Sequence, residues 1–366
     1  MTQEEIIKMQ ISRIEKEIRD LPYHKGTEHH HGVMKARIAK LNDQLNGGSN
    51  KGGGGGVGYA IKHSGDASVV LVGLPSVGKS TLLNAVTNAE SRVGNYDFTT
   101  LGVVPGMMEY KGVKIQMLDL PGIIEGATKN KGFGKKVLSV IRASDLVVLM
   151  TDVKRIEWIK QVEDELYHSG IRLNTRPAKI SIHRTHKGAI QVIDPYQSFE
   201  KETVIDIAKE MGLGNAIIQI GEKVVGIDKL IDSMSKSIKY MAAVEVVTKI
   251  DLAKNFDPRI VGKKDDIVLM CADKGIGLED FKEKVWKGLG LVRVFLKRER
   301  NMEADFNQPL ILKNNSTLDD VLKRISNQMR DDVNKAYIWG KKAKFPGQEV
   351  SFTFQVFDEM EVFFGR

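Results

Sequence analysis

The stretch GLPSVGKS, residues 73–80, follows the apolar run SVVLV and precedes TLLNAVTN, so it lies between an expected strand and an expected helix. In that context the spacing G-x-x-x-x-G-K-[ST] describes a phosphate cradle. Gly73 and Gly78 let the backbone turn its N–H groups toward an anion at a helix N-terminus, where the macrodipole favours negative charge. Lys79 would reach the β- and γ-phosphates, and the Ser80 hydroxyl would take one site on Mg²⁺. The whole grip is expected from Pro75, Ser76, Val77, Gly78, Lys79, Ser80 and Thr81.

A second element follows in the order such chemistry requires. DLPG, residues 119–122, ends a strand, which brings Asp119 to the edge where it can hold the metal directly or through water. Gly122 can offer its backbone N–H to the γ-phosphate. Between the two elements, DFTTLG carries Thr99 and Thr100; Thr100 is favoured to close over the nucleotide and give its hydroxyl to the metal. The expected catalytic set is therefore Lys79, Thr100 and Gly122, and the expected metal set Ser80, Thr100 and Asp119.

Base choice is written later. TKID, residues 248–251, begins with Thr248 and ends in Asp251, a carboxylate that can accept hydrogen bonds from guanine N1–H and the exocyclic amine. Adenine would face that charge with a lone pair, a mismatch worth about 1–3 kcal/mol or more. The stem of Lys249 can lie across the ring. One strand further on, MCAD brings Cys271, Ala272 and Asp273, where a backbone N–H could meet the guanine carbonyl. The ligands expected are GTP and GDP with Mg²⁺.

Positioning these residues calls for an α/β fold. Short, wholly apolar strands alternate with helical stretches from Ser68 to Leu289, the pattern of a mostly parallel sheet covered on both faces. About 90 residues separate strand DLVVLM from strand VEVV, more than one crossover helix needs, so a module is inserted there. Within it the basic cluster Lys179, His183, Arg184, His186 and Lys187 reads first as a solvated hairpin and second as an RNA contact. Ahead of the sheet, Ile7, Ile11, Ile14, Ile18 and Leu21, then Met34, Ile38, Leu41 and Leu45, step by threes and fours on either side of Pro22 and Gly26, giving a helical hairpin. The adjacent His29, His30 and His31 would point about 100° apart on a helix, which disfavours a shared metal. The glycine tract at 47–58 reads as a hinge. In the tail, alternating EVSFTFQV and AYIWG read as strands, and TLDDVLKRI opens a helix with Thr317 and Asp320 in capping-box spacing. The expected order is a hairpin at 1–46, a linker at 47–66, core at 67–151, insert at 152–240, core again at 241–289 and a compact sheet domain at 290–366.

Composition adds limits. The 366 residues include 42% apolar and 28% charged residues, an ordinary globular profile with room for several domains. No run reaches the ~20 apolar residues of a membrane helix, and the N-terminus has no secretory pattern. Cys271 is the sole cysteine, so no internal disulfide forms. These features predict a cytoplasmic protein. A net charge of +8 favours polyanions without demanding one and carries no DNA-specific signature.

The elements in this order resemble a translation-factor-class GTPase. FTTLG, VPGMMEYKGVKIQMLDLPGIIEGA, GIRLN and EHHHGVMKARIAKL resemble, more narrowly, the developmentally regulated GTP-binding (Drg) branch of the Obg superfamily, across the whole chain. The resemblance implies an N-terminal helix-turn-helix, an interrupted P-loop GTPase core and a C-terminal TGS domain of β-grasp type. It also implies association with ribosomes or ribosomal RNA and, in eukaryotic members, a dedicated regulatory partner protein. Thr248 departs from the family's usual asparagine, which predicts lower affinity with guanine selectivity retained. Ser326 stands where the tail commonly has histidine. Ser76 replaces the asparagine through which many relatives recruit K⁺, so a potassium requirement is left open.

Hydrolysis needs a water in line with the β–γ bond, and the position where Ras-like enzymes use glutamine is Ile123, which can neither donate nor accept. The expectation is a switch that turns over slowly, its γ-phosphate ordering DFTTLG and PGIIEGA. The alternatives are a nucleotide-gated RNA- or ribosome-binding module with negligible hydrolysis and, disfavoured by Asp251, a P-loop ATPase.

Overall fold

A computed structural model of the chain describes residues 2–22, 24, 26–47, 64–87, 104–120, 134–224, 226–252, 267–325 and 333–365. In chain order its elements are α1 (Gln3–Asp20), α2 (Glu28–Gly47), β1 (Ala67–Gly73), α3 (Lys79–Val86), β2 (Val104–Tyr110), β3 (Val113–Asp119), α4 (Lys135–Ala143), β4 (Leu146–Asp152) and α5 (Trp158–His168). Then come β5 (Ile171–Leu173), β6 (Ile180–Arg184), β7 (Gln191–Ile193), α6 (Lys201–Glu210), β8 (Ala216–Ile220), α7 (Ile227–Met234), β9 (Lys239–Thr248), β10 (Ile267–Leu269) and α8 (Leu278–Leu289). The tail contributes β11 (Leu291–Leu296), β12 (Leu310–Lys313), α9 (Leu318–Ile325), β13 (Lys335–Trp339), β14 (Gln348–Val350) and β15 (Met360–Gly365). Contacts divide the chain into two compact units, Tyr59–Glu163 with Ala242–Arg366, and Met1–Gly58 with Asp164–Met241.

The first of these units is built on a sheet in the order β10-β9-β4-β1-β3-β2. Pairings are parallel except β2 against β3. Every residue of β1 and β4 is buried, which is why their central runs VVLV and LVVLM are apolar at consecutive rather than alternate positions, with the polar Ser68, Thr151 and Asp152 at the strand ends. β1 lies between β3 and β4, so the chain leaves it in opposite directions and opens a crevice at the carboxyl ends of the strands.

The tail of the same unit forms a mixed sheet, β12-β11-β15-β13-β14, whose central pair β11/β15 is parallel. With α9 between the second and third strands, this is the β-grasp arrangement. Val294, Leu318, Val321, Ala336, Ile338 and Val362 close its core. EVSFTFQV does not extend as one strand. After Val350 it turns, Phe354 N–H meeting the Ser351 carbonyl. The carbonyls of Phe352 and Phe354 accept from the N–H groups of Asp319 and Leu318, so the segment caps the start of α9.

In the other unit α2 packs on α6 and α7. A Cβ on Gly32 would press on the side-chain ends of Ile227 and Ile207, and Ala36 is fully buried one turn on, so small residues let α2 approach. Lys35 pairs with Asp228 and Arg37 with Glu210, while Asp43 accepts from Ser235 Oγ and from the N–H groups of Lys236 and Ser237. His29 pairs with Asp206 at 3.1 Å. The seam of α1 is only half buried. The basic stretch is not a simple hairpin: β8 runs between its two strands, antiparallel to β6 and parallel to β7. Two short strands separated by a turn left no sign that a third, beyond α6, would come between them. Lys179, His183, Arg184, His186 and Lys187 are all exposed.

Candidate functional site

β1 ends at Gly73, and the chain reverses over residues 74–77 before α3 begins. A Cβ at Gly73 would lie 2.7 Å from the Met150 carbonyl oxygen and 2.9 Å from Val77 Cγ2, so the strand can leave β4 this tightly only as glycine. Gly78 caps α3 in the left-handed region at φ 92°, with open space around it. Ser76 is left-handed too, at φ 62°, a conformation that costs a residue with a side chain about 1–2 kcal/mol.

Side chains hold this loop by its carbonyl oxygens. Lys79 Nζ folds back to Gly73 O at 2.9 Å and Leu74 O at 3.0 Å. Thr248 Oγ1 donates to Val77 O at 2.6 Å, Lys249 Nζ to Ser76 O at 2.6 Å, and Arg155 Nη2 reaches Pro75 O at 3.4 Å. Five consecutive carbonyls, from Gly73 to Val77, thus accept from side chains, the last three from residues beyond the loop. In a planar trans peptide the N–H points away from the C=O, so the amides of the loop are turned the other way. Burial lowers the pKa of Lys79, an effect that the nearby Asp119 carboxylate opposes.

Asp119 ends β3 and is 2% exposed. Its Oδ2 accepts from Ser80 Oγ at 2.8 Å, while Oδ1 is buried with no hydrogen-bond partner among the described residues. An oxygen-only pair with one buried, uncompensated carboxylate oxygen fits a hard divalent cation such as Mg²⁺.

At the far side of the crevice Thr248 ends β9 and Lys249 turns the chain at φ 57° into a 3₁₀ turn, Ile250–Leu252, that carries Asp251. A second 3₁₀ turn, Ala272–Lys274, follows β10 and lies beside α3. The N–H groups of Lys274 and Ile276 donate to the Cys271 carbonyl, so Cys271, which is 5% exposed, anchors that turn. Lys274 Nζ meets Asp251 Oδ2 at 2.9 Å. Hydrogen bonds from Lys274 and then Cys271 hold the Asp251 carboxyl below the usual carboxylate range.

The described members of the expected site, Pro75 to Thr81, Asp119, Thr248, Lys249, Asp251 and Cys271 to Asp273, all lie at the carboxyl edge of one sheet. Thr100, Gly122 and Ile123, like Ser326 and the 48–58 part of the glycine tract, lie outside the described residues. Two residues escaped sequence reasoning. Lys274 was one position from Asp273 and could have been found as a counter-ion for Asp251. Arg155, whose Nε and Nη2 both bond Asp152 Oδ2, meets Pro75 across 80 positions, and nothing local announces it.

A family model described as 50S ribosome-binding GTPase matches residues 68–185, and one described as the C-terminal region of that domain matches 187–291. An uncharacterised GTP-binding protein of Methanocaldococcus jannaschii is 41% identical over 94% of this chain and 89% of its own. The developmentally regulated G-protein 3 of Arabidopsis thaliana is 37% identical over 96% of this chain and 97% of its own. The chain belongs to the developmentally regulated GTP-binding protein family. This Drg-family chain is accordingly a P-loop GTPase of the α/β class. Among solved structures it is similar to the YchF GTPase of Schizosaccharomyces pombe, at 12% identity over 83% of this chain and 99% of that one, TM-score 0.43. No helix among the described residues is long and apolar enough to cross a membrane.

Proposed function

We propose that this Drg-family protein is a slow, Mg²⁺-dependent switch that hydrolyses GTP to GDP and phosphate and acts on ribosomes in the cytoplasm. The observation that carries the nucleotide reading is the loop from Gly73 to Val77, whose Pro75, Ser76 and Val77 carbonyls are held by Arg155, Lys249 and Thr248 while Lys79 folds over its start. Lys79 moves from the Gly73 and Leu74 carbonyls toward the β- and γ-phosphates, where its ammonium faces a polyanion. Asp119 and Ser80, with Thr100, would hold Mg²⁺, which when bound would supply positive charge against the phosphate oxygens. Gly122 contacts the γ-phosphate, so hydrolysis releases DFTTLG and PGIIEGA together. Asp251 reads guanine, Lys249 covers the ring, and the Cys271–Asp273 turn meets the guanine carbonyl.

Ribosome association is supported by the description of the matching family model and by a tail with the β-grasp arrangement, read here as a TGS domain. The exposed Lys179, His183, Arg184, His186 and Lys187 favour a second reading, in which nucleotide only gates RNA binding. Phosphate release measured with and without ribosomes separates the two. Slow turnover, accelerated by ribosomes, is expected for the switch, with an intrinsic rate on the order of 10⁻⁴ to 10⁻² s⁻¹. No release under either condition would reject it in favour of the gated binder.

A further inference from the structure

We infer that Arg155 is a positioning residue that aims the Ser76 amide into the phosphate cradle by strapping the Pro75 carbonyl from outside. The guanidinium stands on a rigid post. Asp152 is the last residue of β4, 6% exposed, and its Oδ2 accepts from Arg155 Nε at 3.2 Å and Nη2 at 2.5 Å. Oδ1 of the same carboxylate accepts from the Lys154 N–H at 3.0 Å, and the Arg155 carbonyl accepts from the buried Thr151 hydroxyl at 2.7 Å. Both the head and the backbone of Arg155 are therefore fixed to the end of one central strand. From there Nη2 reaches Pro75 O at 3.4 Å.

The consequence falls on the next residue. Pro75 has no N–H, so the peptide joining it to Ser76 supplies the first amide of the loop after Leu74. Because that peptide is planar, fixing its C=O toward Arg155 fixes its N–H on the opposite side, toward the cradle. Ser76 needs such help, since its φ of 62° is unfavourable for any residue with a Cβ. Two cations bracket it: Arg155 on the carbonyl before it and Lys249 on its own carbonyl, 2.6 Å away. The strap holds a strained residue in the orientation a polyphosphate requires, so the loop is preorganised before ligand arrives.

This inference rests on the GTP reading for its binding test but not for its structural one. In the full-length protein without nucleotide, hydrogen–deuterium exchange of the segment 73–80 should accelerate about tenfold in Arg155→Met, which keeps the stem and removes the donors. GTPγS and GDP affinities by calorimetry should both weaken about tenfold, while Arg155→Lys, which keeps a charged donor, should recover most of the loss. Asp152→Asn should move both readouts in the same direction as Arg155→Met. Exchange and affinity in Arg155→Met equal to the parent's would overturn the strap. So would a lowered Tm with unaltered affinity in the folded protein, which is the mark of a purely structural ion pair. A parent that binds no guanine nucleotide would reject the GTP reading alone, leaving the exchange comparison to decide the strap.

Discussion

The Thr248 hydroxyl oxygen stands 2.6 Å from the carbonyl oxygen of Val77 and 3.0 Å from that of Thr151, joining the end of β9 to the phosphate loop and to β4. With one proton to give, it donates chiefly to the nearer Val77 oxygen. Sequence reasoning treats Thr248 as a loss relative to asparagine, yet this buried residue keeps a direct tie to the loop through its hydroxyl. Thr248→Val should cost about 1–3 kcal/mol in urea denaturation and lower GTP affinity about tenfold, whereas Thr248→Ser should remain within about threefold. Equal behaviour of the Val and Ser variants would show that the hydroxyl carries nothing.

Gly73→Ala places a methyl group against the Met150 carbonyl, 2.7 Å away, where backbone rather than a flexible side chain must yield. Destabilisation of about 1–3 kcal/mol is expected, together with loss of at least about tenfold in nucleotide affinity as the loop shifts. Thermal unfolding and calorimetry of the variant test both; unaltered values would mean that β1 and β4 are not so closely apposed.

Asp119→Asn keeps size and removes charge at the residue whose Oδ1 is buried without a partner. Added Mg²⁺ should then fail to tighten GTP binding, although magnesium-free affinity stays close to that of the parent. A magnesium response of full size in this variant would remove Asp119 from the metal site.

Asp251→Asn exchanges an acceptor-only group for one with a donor edge. Guanine nucleotides should weaken by about 10²-fold or more, and xanthosine nucleotides, which carry a carbonyl in place of the exocyclic amine, should gain relative to them. Competition binding with the two bases reads this directly. Retained preference for guanine would move base recognition elsewhere.

Asp145 supplies a pH test of the tail's attachment. Burial alone would raise its pKa, but the Ser68 N–H, the charge of Lys313 and the Ser68 hydroxyl outweigh it and hold the carboxyl low. A carboxyl depressed in the folded state stabilises the fold above its unfolded value, about 3.9, and that contribution fades as pH falls through the folded value. The stability gap between the parent and Asp145→Asn should therefore be full at neutral pH and shrink below about pH 4. A gap that widened on acidification would contradict the assignment.

Where residue type and spacing are dictated by chemistry, the sequence was readable. A phosphate loop needs its glycines, lysine and hydroxyl at set intervals, and strands buried on both faces need continuous apolar runs, so β1, β4 and the turn that opens α3 could be placed in advance. Arg155 could not, because its meaning depends on Pro75, a partner set by the β1–β4 register rather than by any local pattern. EVSFTFQV misled for the opposite reason. Alternating aromatics and hydroxyls suit a strand, but here the half-buried Phe352 and Phe354 pack against the tail core while their carbonyls serve the first amides of α9.

The donors that hold residues 73–77 come from the start of α3, from just beyond β4 and from the end of β9, three places far apart in the chain. A peptide copied from this loop alone would have no reason to recognise phosphate. Ligand capture is in effect a readout that the central strands have found their neighbours in the right alignment, and a nucleotide, by binding only that alignment, acts as a chaperone for the sheet beneath it.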